Sequence, residues 1–132
     1  MSDRNRSLAT RWFEEVWNIR NEASIDQMLA PDAVGHMEGI DVVGPAEFKK
    51  ARAQILEALP DLRVNVETIA ADGDNVVVRW NASGTHRGSG FGVEATGTPV
   101  AFRGMTWMVV KEGRFVEGWD AWNQGALLQS LQ

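Results

Sequence analysis

The side chains best suited to chemistry are an aspartate in an aromatic setting, Trp119-Asp120-Ala121-Trp122, and the only two histidines, His36 and His86. Zero cysteines remove thiolate nucleophiles, thiolate metal sites and disulfides from consideration. The two histidines have neither an H-x-H nor an H-E-x-x-H spacing, so no metal is expected. What remains is proton transfer by a carboxylate, assisted by imidazole or guanidinium.

Glu112-Gly113 reads as a two-residue turn between strands over 98–111 and 114–123. Such a turn sets Lys111 opposite Arg114, Val109 opposite Val116, Trp107 opposite Gly118, Met105 opposite Asp120 and Arg103 opposite Trp122. Asp120 then shares a face with Arg103, Met105, Trp107 and Trp122, and Gly118 leaves room for the Trp107 indole. The other face carries Phe102, Thr106, Met108, Val110, Phe115, Glu117, Trp119 and Ala121. A carboxylate on a half-buried aromatic surface is costly unless it is protonated, paired or hydrogen-bonded. Desolvation raises its pKa toward the range useful for general acid–base catalysis. The alternative is a structural carboxylate, ion-paired with Arg103 or bonded to backbone at a strand end. Arg103 would correspondingly hold an enolate oxygen or simply neutralise Asp120.

Either histidine, as a neutral imidazole near a carboxylate, can polarise a carbonyl or shuttle a proton. The bland alternatives are a hydrogen-bonded structural residue for His36 and a solvated strand end for His86. Trp80 has the strand parity of His86 and is a candidate pocket wall, as are Phe13, Trp17 and Trp12 from the first helix. Six tryptophans in a chain of 132 residues suit a cavity for a flat, partly aromatic ligand. Gly88–Gly97 is Gly-rich but opens no helix and lacks a following Lys-Ser/Thr, so it is not a phosphate loop. It reads as a mobile lip, with Phe91 reaching over the pocket mouth.

Elements able to position these groups follow from periodicity. Leu8, Trp12, Phe13, Val16 and Trp17 have helical spacing, and Ser24-Ile-Asp-Gln27 has the form of a capping box opening a short helix. Pro31-Asp32 ends that helix, residues 33–38 read as a short strand, and Glu38-Gly-Ile-Asp41 as a turn. Gly44-Pro45 starts a further helix that Pro60 stops. From Leu62 the apolar period becomes two, and Asp72-Gly-Asp74 joins strands over 61–71 and 75–87. A short amphipathic helix closes the chain at 125–131. Helices first and strands afterwards make a single α+β domain over 1–132.

Composition narrows the partners. Eighteen acidic against 13 basic residues give a net charge of −5, and the three lysines and ten arginines form no basic cluster. Nucleic acid is therefore not expected as a partner. No apolar run reaches the ~20 residues of a membrane-spanning helix, and the basic start lacks the apolar stretch of a secretory signal. The expectation is a cytoplasmic protein without membrane association. Apolar residues on both faces of the 98–123 hairpin suggest that one covers the helices and the other meets a second copy in a homodimer.

Seven segments also carry a family resemblance. Phe13-Glu-Glu-Val-Trp-Asn18, Ala30-Pro-Asp-Ala-Val-Gly-His36, Leu59-Pro-Asp-Leu-Arg-Val64, Val76-Val-Val-Arg-Trp80, Gly84-Thr-His86 and Val116-Glu-Gly-Trp-Asp120, followed by Gly125-Ala-Leu-Leu-Gln-Ser-Leu131, occur in the order and spacing of one family. In these segments the chain resembles the SnoaL-like polyketide cyclases (ester cyclases) of the nuclear transport factor 2-like superfamily. The resemblance implies a cone-shaped, curved antiparallel sheet wrapped around N-terminal helices, with a deep apolar pocket. It also implies cofactor-independent aldol cyclisation of a polyketide-like or other small hydrophobic carbonyl substrate. Asp120 falls at the position of the family's acid/base, and His36 at that of a pocket histidine. His36 is followed by Met37-Glu38, where many relatives have an acidic residue and proline. The alternatives are a non-catalytic, dimeric module for apolar ligands, or an isomerase or epoxide-hydrolase relative on the same fold. A steroid isomerase of this superfamily would use a tyrosine donor, and the chain has no tyrosine. An epoxide hydrolase needs an Asp–Arg–Asp set, of which Asp120 and Arg103 are only part.

Overall fold

A computed structural model describes residues 2–131. Helix α1 (Ser2–Arg11) continues without a break into a π-helical stretch, Trp12–Asn18, and α2 (Glu22–Met28) follows. The wider π turn, closed by an Ile19 N–H bond to Glu14 O at 2.8 Å, presents Trp12, Phe13 and Val16 to the core together. Strands β1 (Leu29–Met37) and β2 (Ile40–Val43) make a hairpin, and α3 (Gly44–Ala58) leads to β3 (Arg63–Asp72), β4 (Asn75–Thr85), β5 (Pro99–Lys111) and β6 (Arg114–Trp122), with α4 (Gln124–Ser130) last. The six strands form one sheet in the order β2-β1-β6-β5-β4-β3, antiparallel except where β1 runs parallel to β6.

The sheet is curved around α1, its π-helical continuation and α3. Bulges in β3, between Val66 and Thr68, and in β6, between Phe115 and Glu117, bend its strands. Its concave side carries Val76, Val78, Trp80, Ala82, Met108, Val110 and Phe115, all buried against Trp12, Phe13, Phe48 and Leu59. Trp12 meets Phe48 and Phe115 at ring-centroid distances of 5.1 and 5.4 Å. This is the curved-sheet α+β arrangement expected from the sequence.

Local details differ. Asn21, not Ser24, caps α2: its side chain accepts from Ala23 N, while Ser24 lies within the helix and donates to Glu15 at 2.7 Å. The turn read at 38–41 is shorter, and Ile40–Val43 pairs with β1 as an edge strand. No helix among the described residues is long and apolar enough to cross a membrane.

Gly88–Gly97 is docked, and does not form a free lip. Arg87 N and Gly88 N donate to Ala58 O at 3.0 and 3.3 Å, satisfying a carbonyl at the end of α3. A Cβ at Gly88 would lie 1.9 Å from Glu57 O, and one at Gly90 1.8 Å from Gln54 O. Only glycine permits this approach of loop to helix. His86 is fully buried at the loop's root, where its Nδ1 accepts from Thr96 N (3.2 Å) and its own N–H donates to Thr98 O (2.9 Å).

Candidate active site

Asp120 lies on the concave side because of the bulge in β6. Beside the turn the pairing is as expected, with Lys111 opposite Arg114 and Val110 opposite Phe115. Val116 is then the extra residue, so Val109 faces Glu117, Met108 faces Gly118, Thr106 faces Asp120 and Gly104 faces Trp122. One inserted residue lets Phe115 and Asp120, of opposite parity, both point inward. The neighbours expected for Asp120 are corrected accordingly. Met105 and Trp107 lie on the convex face, 54% and 48% exposed, and Arg103 is exposed with them. Trp107 pairs with Trp119, not Gly118, and donates to Asn75 Oδ1 at 2.9 Å. Arg103 thus neither pairs with Asp120 nor reaches the cavity.

Two adjoining lobes open between helices and sheet. Phe13, Trp17, Met37, Thr106 and Asp120 border both, so Asp120 and Thr106 sit at the seam. Trp12, Phe48 and Phe115 wall the first lobe, and Trp80, Phe102 and Trp122 the second. Phe13, Trp17, Trp80 and Trp122 therefore line the cavity. Among the described residues, the only charged side chains on either wall are Asp120 and Glu117.

The carboxylate is held by a chain of hydrogen bonds. Trp80 Nε1–H donates to Thr106 Oγ1 (2.9 Å), and the Thr106 hydroxyl donates to Asp120 Oδ1 (2.6 Å). Gly104 makes room for this indole, since a Cβ there would stand 2.6 Å from Trp80 Cζ2. Burial in the apolar cavity pushes the Asp120 pKa up to about 6, the Thr106 hydrogen bond pulls it down, and the nearby Glu38 charge pushes it up again. Glu38 is fixed at the β1–β2 turn by accepting from Trp122 N at 3.1 Å. Thr106 and Glu38 escaped the sequence reading. Their roles depend on the bulge and on the β1–β2 turn. Glu117 gave a signal: without a bulge it would share the core face of Phe115.

His36 does not join this site. It borders neither lobe and stacks on Trp119 at 5.1 Å, with Nδ1 3.0 Å from Asp41 Oδ1 and Nε2 2.8 Å from Glu117 Oε2. Its hydrogen bonds to Glu117 and Asp41 raise the imidazole's pKa, and in the protonated form both nitrogens donate to these carboxylates. The alternation of β1 explains this, because Gly35 and Met37 line the cavity and His36 points the other way. His86 and Phe91 border neither lobe; they stack on each other at 6.3 Å and root the docked loop.

Comparison with known proteins agrees with this architecture. The family model of the SnoaL-like polyketide cyclases matches residues 7–131. No curated protein matches the sequence. A structure from Jannaschia sp. CCS1, described as a candidate SnoaL-like polyketide cyclase, superposes with a TM-score of 0.92 at 23% identity, covering 98% of this chain and 92% of that one. AclR from Streptomyces galilaeus, described as a candidate hydroxylase, gives 0.86 at 30% identity over 99% and 82% of the two chains. IdmH from Streptomyces antibioticus, described as a candidate polyketide cyclase, gives 0.82 at 26% identity over 96% and 97%. With nearly its whole length matched, the chain belongs to the SnoaL-like polyketide cyclase family.

Proposed function

We propose that the protein is a cofactor-independent enzyme that closes a ring in a small hydrophobic, polyketide-like carbonyl compound by aldol addition, with Asp120 as acid and base. The observation that carries this reading is a single carboxylate, Asp120, set at the seam of two apolar, aromatic-walled lobes, where desolvation pushes its pKa up to about 6. Among the described residues the side-chain hydrogen bond to this carboxylate is the one from Thr106 to Oδ1, which leaves Oδ2 to act. Asp120 Oδ2 takes a proton from the carbon beside one carbonyl, leaving an enolate. The enolate carbon attacks a second carbonyl carbon of the same molecule, forming the C–C bond, and the new alkoxide recovers the proton from Asp120. Aromatic walls hold the chain folded so that the two carbons approach.

With no cationic side chain on the described walls, charge on the substrate oxygen falls to neutral donors, for which the indoles of Trp12, Trp17 and Trp122 are candidates. Arg103 on the convex face removes the arginine of an Asp–Arg–Asp epoxide-opening set. The test is incubation of a poly-β-keto ester in D2O, followed by NMR. The expected result is deuterium entering the α-carbon together with a cyclised product, both lost in Asp120→Asn. Exchange and cyclisation no faster than in buffer across a panel of such esters would favour a binding module.

The convex face also bears on assembly. Met105, Trp107 and Trp119 are large apolar side chains exposed together on neighbouring strands. We read this patch as the contact between two copies of the chain. Sedimentation should then report a dimer that Trp107→Glu converts to monomer; a wild-type monomer at micromolar concentration would remove this reading.

A further inference from the structure

We propose that Trp80 is a positioning residue: by holding the Thr106 hydroxyl as a donor to Asp120 Oδ1, it keeps the proton that Asp120 carries on Oδ2, facing the cavity. The inference rests on the acid/base reading of Asp120 and adds the device that decides which oxygen does the work.

The logic is directional. An indole N–H can only donate, so Thr106 Oγ1 must accept from Trp80. The hydroxyl has one proton of its own, and Thr106 is 6% exposed, so that proton needs a protein acceptor. Asp120 Oδ1, at 2.6 Å, is the acceptor present among the described residues. With Oδ1 already accepting, a protonated Asp120 places its O–H on Oδ2. If Thr106 were released from Trp80, its hydroxyl could turn and accept a proton from Oδ1 instead. The acid would then hide its proton in the wall. Gly104 belongs to the same device, since its missing Cβ is what brings the Trp80 indole over Thr106.

The other acidic groups near Asp120 are Glu38 at the β1–β2 turn and Glu117 on the first lobe, and neither is hydrogen-bonded to the Trp80–Thr106 pair. They raise or leave the background but do not choose between the two oxygens.

The experiment is a 13C carboxyl titration of Asp120 in wild type, Trp80→Phe, Thr106→Val, Thr106→Ser and the double variant Trp80→Phe/Thr106→Val. Losing the donor in Thr106→Val should raise the midpoint by about one pH unit, the size of a hydrogen bond to a charged group. Trp80→Phe should raise it by about half as much, and Thr106→Ser should restore the wild-type value. The double variant should match Thr106→Val alone, because Trp80 acts only through Thr106. On an active substrate, kcat should fall about 3-fold in Trp80→Phe and about 10-fold in Thr106→Val, with KM nearly unchanged. An unmoved midpoint in Trp80→Phe, or single effects that sum in the double, would overturn the proposal and leave Trp80 as wall packing. The titration needs no turnover, so it can fail or succeed independently of the aldol reading.

Discussion

Asp120→Asn should reduce turnover about 1,000-fold while leaving the affinity for substrate nearly unchanged. The side chains are isosteric, Thr106 can still donate to the remaining carbonyl oxygen, and only the ability to take a proton is lost. The same substitution should stabilise the fold near neutral pH. The carboxyl is pushed from its ordinary 3.8 to about 6, so the folded state binds this proton more tightly than the unfolded chain. Stability therefore falls as pH rises from about 4 to about 6, and the cost is fully present above that. Denaturant titration should find the Asn variant about 3 kcal/mol more stable near pH 8, and the difference should fade near pH 4. A catalytic group that destabilises its own fold is the expected signature of a functional carboxylate. Equal stability at both pH values would mean that Asp120 is solvated or paired.

Gly104→Ala should be the most damaging single methyl group in the sheet. Its Cβ would lie 2.6 Å from Trp80 Cζ2, 2.7 Å from Ala121 O and 2.8 Å from Trp122 Cβ. The Ala121 contact is to backbone, so a side-chain rotation cannot relieve it, and β5 and β6 must separate locally. Overpacking of this kind costs about 3 kcal/mol, which for a domain of this size lowers Tm by about 10 °C. Because the displaced groups are Trp80 and Trp122, the loss should reach the site as well as the fold. Thermal unfolding, with turnover measured well below Tm, separates the two effects. A variant of wild-type stability and activity would show that the second lobe has slack where the packing leaves none.

The sequence and the structure agree where a single strand or helix decides the outcome. Alternation in Leu62, Val64 and Val66 defines β3, and Gly44-Pro45 to Pro60 brackets α3, with no help needed from the rest of the chain. The π-helical stretch leaves Trp12, Phe13, Val16 and Trp17 facing inward, as an α-helix would, so its different hydrogen bonding is invisible in the pattern. Pairing is where local rules fail. Counting outward from Glu112-Gly113 is correct for two pairs and wrong for every pair beyond Val116, because one bulged residue reverses the parity. Asp120 was legible through its aromatic flanks, but its neighbours were not. Thr106, assigned to the opposite face, proves to be its hydrogen-bond donor, and Arg103, assigned beside it, lies on the convex side. His36 shows the same limit. Its position near the end of β1 is evident in the sequence, whereas the carboxylates that claim both its nitrogens come from β2 and β6.

Carboxyl-carbon NMR titration of Asp120, with its signal assigned by loss in Asp120→Asn, tests the acid/base role most directly. The desolvated carboxylate should titrate with a midpoint near 6. A midpoint at or below the ordinary ~3.9 of an aspartate would contradict that role, because a carboxylate so readily ionised is neither desolvated nor poised to exchange a proton with a substrate carbon.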